Sequence, residues 1–452
     1  MRLMNEIKRS VKHLNANAPV SAKIDEAQVE VYVNKTIIDL ESGNFDFSTY
    51  DSIVLKQGSK KRSVKRYKLF STENILCQYI KQILDRRFKV KYPNRNKAVH
   101  TLFDFLKAVK QMSEFTIIKF DFEDYFNSVS SDYVFQKYIR EQMNVRYEAK
   151  LISVFANQTI YSYAGLNTSN LFSEIIAVKF DELIRQKFSQ YGLLFFERYV
   201  DDSIIILNQH LEQVVCERIL NDAIHEVYYN KNISTAVPCK TKLNISKFKM
   251  ITKRSLTTTA TLSVDFLGYE FFFNLDVRDK VNIQYGITTE KRDKYNGRID
   301  EIIADYKQNN DMELLRHKIS AFSSRIVYLT KKYNNNVWKA KGIINNYNEL
   351  RFLIDTPLLH HDTEIFLKDM IEDAFFRNTM PLPYFLIGAK KQRGYNLLKN
   401  MEVNKSLILV EHIGYDKAGL EKLCAKIGIP AGTGKRYGNM VREYLMKTKV
   451  GY

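Results

Sequence analysis

The chain has 452 residues, enough for about three domains at roughly 150 residues each. Hydrophobic residues make up 45% and charged residues 27%, a globular balance that excludes wholesale disorder, while 17 Gly and 7 Pro exclude collagen-like and low-complexity chains. Lys and Arg outnumber Asp and Glu by 69 to 51, a formal charge of +18 that points to a polyanionic partner, nucleic acid first.

No run of about 18 apolar residues occurs, so no membrane-crossing helix and no membrane partner is expected. The basic start MRLMNEIKRSVKHLNANAPV lacks an apolar core and is not expected to be a secretory signal. Cys77, Cys216, Cys239 and Cys424 are scattered, with no Cys-x-x-Cys pair. Neither a zinc ribbon nor a disulfide framework is expected, and a reducing cytoplasm is the simplest compartment.

Residues 1–50 mix a basic, helix-like start with polar segments and read as an N-terminal extension. SKKRSVKRYK, from Ser59, is strongly basic. ENILCQYIKQIL then places Ile75, Cys77/Gln78, Ile80 and Ile83/Leu84 at helical spacing, and KAVHTLFDFLKAVKQMS reads as a second amphipathic helix. FTIIKFDFEDYF opens as a strand, because β-branched and aromatic residues dominate it. NLFSEIIAVKFDELIRQKFSQ is helical by period. LLFFERYVDDSIIIL reads as a hairpin, two apolar runs about an Asp-Asp turn, and DFLGYEFFFNLDV is a further strand region centred on a Gly. Beyond about residue 285, KRDKYNGRIDEIIADYKQ, ELLRHKISAFSSRIVYLTKKY, KAKGIINNYNELRFLI and TEIFLKDMIEDAFF all read as amphipathic helices. The stretch 405–452 also reads as helical, broken at GTGKRYG, and no fixed-period repeat supports a solenoid.

Asp121 ends the strand IIKF, and Asp201 and Asp202 sit at the hairpin tip. Two adjacent Asp at a turn repel unless they are solvated or bound to cations. The plain reading is an exposed acidic turn, but long apolar strands flank this one on both sides. If the strand end lies beside the tip, three carboxylates meet. Such a cluster suits two Mg²⁺ ions, with Mn²⁺ as a substitute, because hard cations take oxygen ligands. Two metals can activate an attacking hydroxyl and stabilise a leaving pyrophosphate, so that the protein mainly positions and neutralises charge.

Tyr199-Val200-Asp201-Asp202 resembles the [YF]-x-D-D hairpin of reverse transcriptases. Asp121-Phe122-Glu123-Asp124-Tyr125-Phe126 resembles the family's upstream metal motif, an Asp followed five positions on by an aromatic. Asp265-Phe266-Leu267-Gly268-Tyr269 resembles the primer grip of retron and group II intron enzymes, and Asn244-Ile245-Ser246-Lys247 an Asn…Lys element between the two. Lys65-Arg66, Asn74 and Gln78 fall where the fingers motif lies. The likeness covers roughly residues 50–275. The implied fold is α+β: right-hand polymerase fingers and palm with an antiparallel palm sheet over 51–275, then an α-helical C-terminal domain over 285–452. The resemblance implies an RNA-directed or atypically templated DNA polymerase that adds dNTPs.

Residue by residue, Asp121, Asp201 and Asp202 resemble the catalytic metal ligands, and the carbonyl of Phe122 completes one metal's shell. Phe126 resembles the steric gate against a 2′-OH. Lys65 and Arg66 would neutralise the triphosphate, Asp124 and Gly165 belong to the nucleotide site, and Lys247 is a candidate general acid toward pyrophosphate. Phe266, Leu267 and Gly268 match the primer grip. Ala164 stands where the family commonly has Gln, and Lys65-Arg66-Tyr67 where it has Arg-Pro-Leu. These departures, with the helical C-terminal region, resemble the abortive-infection and defence-associated bacterial enzymes. That resemblance implies antiphage defence, a DNA product, a noncoding RNA template and assembly with itself or other defence subunits. Some members prime from a protein hydroxyl, for which 28 tyrosines are available, the terminal Tyr452 included. Two alternatives stay open: a retron-type enzyme with a dedicated RNA, and a catalytically degenerate nucleic-acid-binding scaffold, which Ala164 favours.

Two further signals are set aside. Gly428…Gly434-Lys435-Arg436 has the wrong spacing and no Ser or Thr for a phosphate loop, and reads as a basic turn. His360-His361-Asp362 has no further metal ligand in view and reads as a loop before a helix.

Overall fold

In the computed structural model, the described residues are 2–19, 22–57, 60–323, 327–332, 335–340, 342–354, 356–387, 396–403, 416–430 and 435–448. Tyr452 and Gly434 lie outside them. The chain divides into two units, Met1–Ser255 and Leu256–Tyr452. Its fold class is mixed α and β, with antiparallel sheets and many helices.

The first unit starts with α1 (Arg2–Asn17), which buries Ile7, Val11 and Leu14 along one stripe, and α2 (Glu26–Ser42), which opens on an Asp25/Gln28 capping box and closes on Gly43 at φ +73°. Ile7, Val11, Val29, Val33 and Phe47 belong to the same core as Ile118 and Phe120. The expected N-terminal extension is therefore built into the core of this unit. The basic run forms half of an antiparallel hairpin, β1 (Asp51–Gln57) with β2 (Lys60–Arg66). Then come α3 (Thr72–Phe88), capped by Ser71, and α4 (Arg95–Val109), capped by Asn94. The strand β3 (Thr116–Phe120) follows, with short turns α5 (Tyr125–Ser128) and α6 (Ser131–Val134), and α7 (Arg146–Thr159) and α8 (Ser169–Ser189) after them. The hairpin strands are β4 (Leu193–Tyr199) and β5 (Asp202–Leu207), followed by α9 (Gln213–Tyr228) and β6 (Lys249–Thr252).

These strands make one antiparallel sheet in the order β4-β5-β3-β6. β3 is central and every residue of TIIKF is buried, which explains its near-continuous apolar run. Phe120, Phe122, Phe180 and Tyr228 interlock in an aromatic cluster below the end of β3, with the Phe122 and Phe180 rings 5.2 Å apart. Edge-to-face pairs of this kind add specificity to burial and fix the level at which the strand stops.

The second unit opens with a three-stranded antiparallel meander, β7 (Leu262–Phe266), β8 (Tyr269–Leu275) and β9 (Val281–Ile287). Its helices are α10 (Thr289–Asn309), α11 (Met312–Phe322), the short α12 (Ile343–Asn346), α13 (His361–Arg377), α14 (Leu397–Val403), α15 (Lys417–Ala425) and α16 (Tyr437–Lys447). Tyr269, Tyr295 and Tyr347 meet in its core. Two expectations change here. The division falls at 255/256, because β7 pairs with β8 and not with the first unit's sheet, so residues 256–275 leave the proposed 51–275 body. The region after 285 is not all helix: a hairpin of β10 (Val327–Lys332) and β11 (Asn335–Ala340) interrupts it. VYLT is rich in strand-forming residue types, and that preference outweighs the helical period read across it.

Among the described residues no helix is long and apolar enough to cross a membrane.

Candidate functional site

β3 and β5 pair antiparallel, with Phe120 opposite Ser203 and Lys119 opposite Ile204. Continuing that register one step sets Asp121 opposite Asp202. Directly opposed residues in an antiparallel pair have Cβ atoms about 4.5–5.5 Å apart, so the two carboxylates are cross-strand neighbours. Tyr199 and Asp202 close the β4–β5 hairpin, so its two-residue turn is Val200-Asp201 and not Asp-Asp.

Val200 has φ +63°, a conformation that a β-branched residue adopts only under strain of about 1–3 kcal/mol. The surroundings hold it there. The Arg198 guanidinium donates to the Val200 carbonyl at 2.9 Å, to Glu174 at 2.7 and 3.1 Å and to Asp181 at 2.7 and 3.0 Å. Arg198 and Glu174 are almost fully enclosed. Burial acts to lower the Arg198 pKa, and the Asp181 and Glu174 carboxylates more than offset it, so the group stays charged. A single buried cation thus ties α8 to the turn that carries Asp201.

Asp121 is 3% exposed. Its Oδ2 accepts from the Lys247 amine, and its buried Oδ1 has no hydrogen-bond partner. Its carbonyl accepts from the Asn244 amide at 2.8 Å, and the Glu123 amide donates to Lys242 at 3.0 Å. Phe122 lies between these bonds, in a bridge to Leu243 that leaves its carbonyl outside the ladder. Asp202 Oδ1 lies 2.9 Å from the amine of Lys119, a buried lysine of β3, an ion-pair contact outside hydrogen-bond geometry. Among the described residues, no three His, Cys, Asp or Glu side chains are gathered as a ready-made metal centre. The β3–β5 ladder ends at Phe120 opposite Ser203, Asp121 and Asp202 are the next residues out, and each carboxylate lies against a lysine.

The neighbouring aromatics divide in two. Tyr125 is core, stacked on Phe122 with its hydroxyl 3.0 Å from that of Tyr228, whereas Phe126 is half-buried. Asp124 is exposed, adopts φ +44°, and accepts from Asn127 at 2.7 Å. The Lys65 amine sits over the rings of Tyr50 at 5.1 Å and Tyr163 at 5.5 Å and donates to Ser52. Cation–π contact steadies this half-buried side chain. Its neighbour Arg66 is exposed. Gly165, at φ +103°, passes so close to β2 that a Cβ there would lie 2.5 Å from the Lys65 carbonyl. The Lys65 amide also donates to the Ala164 carbonyl at 2.8 Å, so this loop is stitched to the β1–β2 hairpin.

Phe266, Leu267 and Gly268 lie in the second unit, where Leu267 and Gly268, both at positive φ, make the turn between β7 and β8. Phe266 is completely buried and serves the core of that unit. Lys435 pairs with Glu443 at 2.8 Å, and His360 stacks on Phe272 with ring centres 3.9 Å apart. Sequence reasoning passed over Lys119, Glu174, Asp181 and Arg198. For Lys119 and Arg198 the available signal was a charge inside a mostly apolar strand, Lys in TIIKF and Arg beside Glu in LLFFERY.

No family model matches the chain, and no curated protein matches it. Solved structures to which it is similar include the apo telomerase of Candida tropicalis truncated from its C-terminal domain, at 14% identity and a TM-score of 0.34. That match covers 52% of this chain and 57% of the telomerase chain.

Proposed function

We propose that the first unit is a nucleotidyl-transferring polymerase of reverse transcriptase type, with a right-hand palm built on the β4-β5-β3-β6 sheet. The observation that carries this reading is the register that sets Asp121 opposite Asp202 beside the held turn at Val200-Asp201. Opposed carboxylates at adjoining strand ends are costly unless cations share them.

The donor set fits Mg²⁺ or Mn²⁺: hard carboxylate oxygens from Asp121, Asp201 and Asp202, the Phe122 carbonyl, and a buried Asp121 oxygen that makes no hydrogen bond. When bound, two such ions activate a hydroxyl nucleophile and stabilise a leaving pyrophosphate. The chain's own residues position and neutralise. Arg198 fixes the hairpin apex through α8. Lys247 is poised by the Asn244-to-Asp121 bond and can hold a proton for the departing phosphate oxygen. Phe126 offers the half-exposed ring that faces a nucleotide sugar, while Tyr125 anchors the segment below. Arg66 supplies exposed charge for a triphosphate, with the half-buried Lys65 beside it. Nucleic acid and dNTPs are the partners that a +18 chain with this site would take. Antiphage defence and a noncoding RNA template belong to the same reading through the motif likeness, and a dedicated RNA to its retron-type alternative.

A second reading, a nucleic-acid-binding scaffold without catalysis, is favoured by one observation: Asp121 and Asp202 are already matched by Lys247 and Lys119. Incorporation of labelled dNTPs into co-purified or added nucleic acid separates the two. Asp201→Asn with Asp202→Asn abolishes incorporation on the polymerase reading, with the circular dichroism spectrum unchanged. Incorporation equal to wild type in that variant removes the site.

A further inference from the structure

We propose that Lys119 is a resident counter-cation of the carboxylate pair, and that a divalent cation must displace its amine from Asp202 in order to bind. This rests on the metal-site reading above and goes beyond it by naming a residue that sets how tightly the site takes its metal.

Lys119 lies two residues before Asp121 on β3, so both project from the same face of the sheet. Asp202 is the diagonal cross-strand neighbour of Lys119, and the ammonium–carboxylate contact is 2.9 Å. The Lys119 side chain is 5% exposed against 22% for Asp202. The amine therefore lies beneath the carboxylate, away from water. β3 is paired on both sides, to β5 and to β6, so the backbone of Lys119 cannot swing outward without breaking the sheet.

Lys247 makes the contrast. It also engages a site carboxylate, but it stands in a short turn with its side chain 51% exposed. Its amine can turn into water at little cost. Lys119 has no such exit, and a buried ammonium that loses its carboxylate carries a heavy desolvation cost. Cation entry is further favoured by Asp121 Oδ1, an oxygen without a hydrogen-bond partner on a side chain that is 4% exposed. The two effects oppose one another: Asp121 draws the cation in, and Lys119 weakens its hold on Asp202. The site then fills only when free divalent cation is high, or when a polyanionic nucleotide arrives with the metal.

Isothermal titration of the full chain with Mn²⁺ alone tests this. Lys119→Met binds Mn²⁺ at least about tenfold tighter than wild type, because a like charge a few ångströms away has gone. Lys119→Arg stays at the wild-type value, because the like charge is kept. Asp121→Asn loses the binding, which assigns the heat to this site. Lys119→Gln supplies the neutral variant if Lys119→Met does not fold. Affinity that is unchanged or weaker in the neutral variants overturns the proposal, as does an arginine variant that behaves like the neutral ones. No Mn²⁺ binding by wild type or any variant overturns the metal-site reading as well.

Discussion

Arg198 shows how one buried charge can organise a site without entering it. Its guanidinium satisfies Glu174, Asp181 and the Val200 carbonyl together, and burial has pushed Asp181 toward a higher pKa despite that contact. Removing the cation alone strips its partner from the buried Glu174 carboxylate and from the half-buried Asp181 carboxylate. Arg198→Met is expected to lower the unfolding free energy by about 3–5 kcal/mol. Adding Glu174→Gln and Asp181→Asn to that variant restores most of the loss, since the uncompensated charges are gone. Urea denaturation measures both, and a single-variant loss under about 1 kcal/mol would show the network to be ornamental. The same residue explains how Val200 tolerates its positive φ: the turn's geometry is held from below by a hydrogen bond to its own carbonyl.

At the scale of elements, the loop after α7 is fixed to the β1–β2 hairpin by a close backbone approach at Gly165. A side chain there must push β2 away, and the positive φ adds strain of its own. Gly165→Ala is expected to cost about 1–3 kcal/mol and to loosen the hairpin. Hydrogen exchange reads this directly: the Lys65 amide, which donates to Ala164, loses protection in the variant, and unaltered protection would contradict the account. Legibility followed the same physics. The hairpin around Asp201 and Asp202 was plain because two apolar runs bracket it, and α10 and α13 were plain because their apolar residues keep one helical period. The β10–β11 hairpin was missed because a helical period was read across β-branched residues. The 255/256 division was missed because strand partnership is a long-range property that no local window carries. Lys119 is not legible for a related reason: only the fold shows that a lysine in an apolar strand is buried against Asp202, as only the fold shows the Lys65 amine over two tyrosine rings.

Taken as a whole molecule, the chain joins a sheet-centred unit that carries the acidic pair to a second unit of a three-stranded meander, a hairpin and helices. Its excess of 18 positive charges suits a polyanion, while Asp121 and Asp202 are each met by a lysine of the chain itself. Clustered carboxylates are stable where cations, internal or bound, share them. The decisive measurement is therefore an anomalous difference map from crystals of the intact protein soaked in Mn²⁺. The account predicts a peak within about 2.0–2.6 Å of oxygens from Asp121 and from the Asp201-Asp202 turn. A saturating soak with no peak between the end of β3 and that turn would contradict it.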